Sequence, residues 1–160
     1  MWDGPSIADV GNSWQDDSKI QDLVAQLAAR RTPLDDAEKA IADFITGAAT
    51  ERQDKAKKVF AGVFDTLSAQ RSEVMSGIDR LARKEKALAD KVRSDVTALR
   101  ELQDKPDQDE SKISALATQI EWSTRIFDDR RKSIRYVCEV PTIIEQRAFV
   151  LARAIRRTLD

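Results

Sequence analysis

Thirteen positions spaced alternately four and three residues apart constrain this chain more than anything else in it. Phe60, Phe64, Leu67, Arg71, Val74, Ile78, Leu81, Glu85, Leu88, Val92, Asp95, Leu99 and Leu102 follow that rule, and only Arg71, Glu85 and Asp95 are polar. This is the a/d seam of a coiled coil carried for about six heptads. A strand cannot use it, because strand side chains alternate with period two. No proline interrupts the run. The spacing therefore predicts one helix over about 53–104, roughly 75 Å long at 1.5 Å per residue. A compact domain of this size has a radius of gyration of only about 15 Å. The expectation is an elongated molecule.

A second seam follows a polar turn, Asp104-Lys105-Pro106-Asp107-Gln108-Asp109. It comprises Ile113, Leu116, Ile120, Ser123, Phe127, Arg130, Ile134 and Val137. Two matching seams with a short link predict an antiparallel hairpin. Setting Leu102 opposite Ile113 makes paired positions sum to 215. That register places Glu85 opposite Arg130, and a charge within a seam demands a partner.

The flanks read as short helices packed at the base of the hairpin. Ile20, Leu23, Val24 and Leu27 make one apolar face of a helix near 18–31. Ser18 and Gln21 have capping-box spacing. Thr32 is placed as the N-cap of a second helix with Pro33 at its first position. Its stripe is Leu34, Ala37, Ile41, Phe44, Ile45 and Ala48, and a break is expected between Gly47 and Arg52. Pro141 is read as the first residue of a last helix, 142–158, faced by Ile143, Ile144, Ala148, Leu151, Ala154 and Ile155. The fold class is all-α, as a single helical domain over 1–160. It comprises an irregular arm (1–17), a coiled-coil-like hairpin (53–137) and a base bundle (18–52 with 138–160). Trp2 and Trp14 are expected to pin the arm to the helices.

Composition narrows the chemistry. The chain has no histidine, which removes the commonest metal ligand and the side chain that titrates near pH 7. Its single cysteine excludes an intrachain disulfide and a cysteine zinc site. With five glycines and no glycine-rich phosphate loop, a nucleotide site has no motif to stand on. The adjacent carboxylates Asp35-Asp36 and Asp128-Asp129 point in different directions on a helix and do not converge. The expectation is a non-enzymatic protein with no cofactor and no metal. Cys138 reads first as a small buried hydrophobe. Its functional reading is a redox-active thiol or an intermolecular disulfide.

The 27 bases and 28 acids nearly cancel, which argues against steering toward nucleic acid. Residues 125–157 nevertheless hold nine bases and four acids. The ordinary expectation is that these bases pair with acids on the long helix. Arg147, Phe149, Arg153, Arg156 and Arg157 are the candidate partner-binding residues, since arginine and aromatics anchor interfaces. Arg147 is the most informative, because it falls inside an apolar helix face while Phe149 falls outside it. The partner would be a protein or a second copy; an anionic membrane surface would suit the basic C-terminal third. Met1 as native start implies the cytoplasm, and a removed leader implies the periplasm.

No family signature is present. The layout is similar to that of small periplasmic helical chaperones and metal-stress sensors. The Leu-Thr-x-x-Gln signature of one such group is absent, and the lack of histidine argues against metal sensing. The leading expectation is an interaction or scaffold module working through helix faces. The alternative is an exported helical chaperone or envelope-stress protein.

Overall fold

The computed structural model describes Trp2–Asp160 and leaves the side chain of Ala49 undescribed. Met1, the first residue of the expected arm, lies outside the described residues. The fold is all-α, with four helices and no strand among the described residues. They are α1 (Ser18–Ala28), α2 (Leu34–Thr46), α3 (Arg52–Gln103) and α4 (Glu110–Arg157). Short 3₁₀ turns occupy Ser13–Asp16 and Ala49–Glu51. The second of these fills the expected break after Gly47.

The chain divides into two compact units. The first runs up to Val74 and resumes over Pro141–Asp160, and the second is Met75–Val140. The division falls inside α3 rather than at its start.

The first unit holds a four-helix core. Ile20, Leu23, Val24 and Leu27 of α1 are buried with Ala37, Ile41 and Ile45 of α2. Ile144, Leu151 and Ile155 of α4 are buried in the same unit. The start of α3 buries more than its seam: Ala56, Val59 and Val63 are covered together with Phe60 and Leu67. Helices on several sides of α3 here bury a broad stripe rather than two positions per heptad. Phe64 lies at the edge of that stripe and is 43% exposed, although the heptad pattern assigns it to the seam.

The arm is tied to α3 by its tryptophans. The Trp2 ring stacks on Phe60 with centroids 3.9 Å apart, and its Nε1 donates to the Pro5 carbonyl at 2.9 Å. Trp14 Nε1 donates to Asp65 at 3.1 Å. Gly62 makes this seat possible. A Cβ there would stand 2.7 Å from Val24 Cγ2 and 2.9 Å from the Trp14 ring, so only glycine lets both approach the helix.

Three local expectations are corrected. The N-cap of α1 is Asp17, whose carboxylate accepts from the amides of Lys19 and Ile20. A carboxylate one residue earlier displaces the Ser18 capping box, and the Gln21 side chain turns back to the Gln15 carbonyl. Thr32 does not cap α2: Pro33 takes the cap position without a side-chain bond, and the Thr32 carbonyl is used elsewhere. Pro141 does not begin a new helix. It lies inside α4, which continues through it. Proline removes one donor from the ladder, the amide that would reach the Val137 carbonyl. That carbonyl belongs to an exposed stretch, while the helix resumes at once on buried Ile144, Arg147 and Ala148.

The second unit is an antiparallel pair built from the C-terminal half of α3 and the N-terminal part of α4. Asp109 caps the return helix by accepting from the Lys112 amide at 3.1 Å. Seam residues Ile78, Leu81, Leu88, Leu99, Ile113, Leu116, Phe127 and Ile134 are half-buried. No apolar side chain described in this unit is fully buried. Two helices alone can cover one side of a seam residue but not all of it.

Candidate functional site

The polar seam residues of α3 each reach across to α4. Arg130 Nη1 donates to Glu85 Oε1 at 3.2 Å. Glu85 is only 8% exposed, and its Oε2 has no hydrogen-bond partner. Asp95 accepts from Gln119 at 2.9 Å and pairs with Lys91 at 2.6 Å. The Lys91 bond, then that of Gln119, holds the Asp95 carboxyl below its ordinary range. In the first unit, Arg71 Nε donates to Glu145 Oε1 at 2.5 Å. All three pairs lie within one residue of the register in which paired numbers sum to 215. The three contacts agree with the register that the apolar seams set, and the buried Glu85 carboxylate is the one placed to add to it, as a buried polar group does in coiled coils.

The five candidate partner-binding residues do not share one surface. Arg147 is buried, at 7% exposure. Its Nε donates to the Leu27 carbonyl at 2.7 Å and its Nη1 to the Thr32 carbonyl at 3.0 Å. Leu27 lies in the last turn of α1, whose final carbonyls have no helical partner. The arginine therefore ties the end of α1 and the α1–α2 loop to α4. This corrects its assignment as a surface contact. Burial pulls its guanidinium pKa below the ordinary value, and arginine stays charged regardless.

Phe149 and Arg153 do stand together and exposed, the guanidinium 5.6 Å from the ring centroid. Arg157 is engaged by Glu38 of α2 at 2.8 Å, and Arg156 by Asp160. Of the nine bases in residues 125–157, three pair within α4 itself: Arg125 with Glu121, Lys132 with Asp129 and Arg135 with Glu139. Acids of α3 play a smaller part than expected, because partners three or four residues along the same helix are nearer. Cys138 is exposed, which corrects its reading as a buried hydrophobe. In a two-helix segment its side of α4 has nothing to bury it.

Periodicity alone missed the exposed apolar residues. In the second unit Met75, Trp122, Ile126, Tyr136 and Val137 are open to solvent, with Trp122 at 59% and Tyr136 at 74%. Trp122 and Ile126 are four apart on one face of α4, and Arg125 lies over the Trp122 ring at 5.5 Å. The available signal was their position: except for Val137 they fall outside the a/d seam, so the partner helix cannot cover them. In the first unit, Leu34, Ile143 and Phe149 are exposed.

Among the described residues no group of three or more Cys, Asp and Glu side chains is arranged to hold a metal ion. No helix among them is long and apolar enough to cross a membrane. No protein-family model, curated protein or solved structure matches the chain.

Proposed function

We propose that the chain is a non-enzymatic interaction module that presents the hairpin of residues 75–140 to a helical protein partner. One observation carries this reading. The hairpin buries no apolar side chain fully, yet it displays Trp122, Ile126, Tyr136 and Val137 on α4. Several side chains of this size left open along one helix mark an interaction surface. An added helix would cover them as an amphipathic helix covers a groove, with anchors at i and i+4. Tryptophan, tyrosine and arginine are the residues that carry such interfaces.

The test is photo-crosslinking in the native cell from a benzoylphenylalanine placed at Ile126, with Lys105 in the exposed turn as control. The expected result is one discrete adduct from position 126 and none from position 105. Equal labelling from both positions contradicts the proposal. A smear of many adducts from position 126 favours the alternative reading, a chaperone that holds extended clients.

A further inference from the structure

Beside the seam that faces α3, α4 carries a second one. Trp122, Ile126, Asp129, Ser133, Tyr136 and Val140 are spaced alternately four and three residues apart. None of them belongs to the seam from Ile113 to Val137, and all six lie in the hairpin unit. Trp122, Ile126 and Tyr136 are open at 59%, 42% and 74%. Asp129 and Ser133 are exposed, and Val140 is half-buried. This spacing is the face that one helix offers another, and α3 does not cover it.

The order of the six residues says which helix fits. Two apolar, two polar and two apolar positions follow one another, so the stripe reads the same in both directions. Laid antiparallel on a copy of itself, with paired numbers summing to 262, Trp122 meets Val140, Ile126 meets Tyr136 and Asp129 meets Ser133. Apolar meets apolar throughout, and at the centre a hydroxyl donor meets a carboxylate. A different partner would impose no such palindrome, whereas a two-fold interface requires a patch that complements itself.

The flanking charges agree. That register sets Arg125 against Glu139 of the second copy, twice by symmetry. Within the chain both are held only loosely, Arg125 by Glu121 at 3.6 Å and Glu139 by Arg135 at 4.0 Å. Arg125 already leans over the Trp122 ring. Near the axis Lys132 falls against its own copy, and its charge is met by Asp129 at 3.3 Å. Arg130, on the opposite flank, is engaged by Glu85. The open parts of Trp122, Ile126 and Tyr136 come to about 400 Å² per copy, and with the polar flanks two copies bury about 1,200 Å². That is the low end for a specific interface, and it suits a reversible dimer rather than an obligate one.

We propose that two copies of this chain pair through the stripe 122–140, antiparallel about a two-fold axis beside Arg131. This pairing rests on the reading of the hairpin as an interaction surface, and makes a second copy its partner.

Sedimentation equilibrium of the intact protein tests the pairing. The expected result is a reversible monomer–dimer equilibrium with a Kd of about 1–100 µM. I126D, at an exposed position and with helicity checked by circular dichroism, is expected to weaken it by about tenfold or more. R125E and E139R are each expected to weaken it by about fivefold. The double variant R125E/E139R is expected to recover most of that loss, because both pairs form again with their signs exchanged. A monomer at every concentration overturns the proposal. So does a dimer that I126D leaves unchanged, or an R125E/E139R dimer no tighter than either single variant. Photo-crosslinking from position 126 keeps the pairing apart from the wider reading. A product of twice the chain's mass supports the pairing. A discrete adduct to a different protein, from a chain that sediments as a monomer, overturns the pairing and leaves the wider reading standing.

Discussion

The two units of this chain are made from the same two helices and solve burial in opposite ways. In the first, α3 and α4 meet α1 and α2, and every apolar side chain found fully buried lies there. In the second, α3 and α4 have only each other, and the one buried side chain is the carboxylate of Glu85. Helical propensity and seam spacing hardly change along α3; the number of neighbours does. A heptad seam is therefore enough to align two helices, and a third surface is what turns alignment into a dry core. The unit that lacks that surface is the one left with exposed tryptophan and tyrosine.

The largest expected effect comes from deleting the same side chain in each unit. Leu151 is fully buried and Leu88 is half-buried. Leu151→Ala is expected to cost about 3–4 kcal/mol and Leu88→Ala about 1 kcal/mol, measured by urea unfolding. Equal costs would erase the distinction between the units.

The arginines give the next contrast. Arg147→Met removes two charged hydrogen bonds to orphan carbonyls and is expected to cost about 2–3 kcal/mol. Arg130→Met removes a pair whose cation is half exposed and is expected to cost about 1 kcal/mol or less. A larger loss at Arg130 would mean that the Glu85 pair stabilises the hairpin as well as supporting its register.

Pro141→Ala restores a missing amide donor inside α4. It is expected to stabilise the protein by about 1–2 kcal/mol, less than the roughly 3 kcal/mol helix penalty of proline because the buried ring is lost. Thermal unfolding reads this directly, and destabilisation would show that the ring's packing outweighs the missing bond.

The smallest effect is electrostatic. The folded pKa of Asp95 lies below the ordinary 3.8, so its pairing stabilises the hairpin above that value. That contribution is lost as the pH falls through the folded value. Asp95→Asn is expected to lower hairpin stability slightly at pH 7 and to make a smaller difference as the pH is taken well below 3.8, followed by amide exchange. A deficit that persists at low pH would assign the effect to packing.

The spacing of apolar residues made the long elements legible. The seam from Phe60 to Leu102 predicts α3 to within a residue or two, and the second seam predicts the start of α4. The pairing of Glu85 with Arg130 was legible too, because antiparallel register leaves one integer to choose. Competition between neighbours was not legible. Asp17 outcompetes Ser18 as a cap, and the packing of Ile144 and Ala148 carries α4 through Pro141, where local preference says stop. Arg147 shows the same limit from the site's side. Its place on an apolar face marked it as unusual, but the carbonyls it serves lie more than a hundred residues away in sequence. Leu34 and Ile143 carry no local mark of exposure, since the cleft they line exists only where α4 meets the α1–α2 loop.

The central claim is that burial, not helix formation, separates the two units. Hydrogen–deuterium exchange resolved along α3 and α4 tests it within single helices. Amides of 56–67 and 144–155 are expected to exchange roughly a hundredfold more slowly than those of 78–99 and 113–134. Uniform protection from one end of each helix to the other would contradict it.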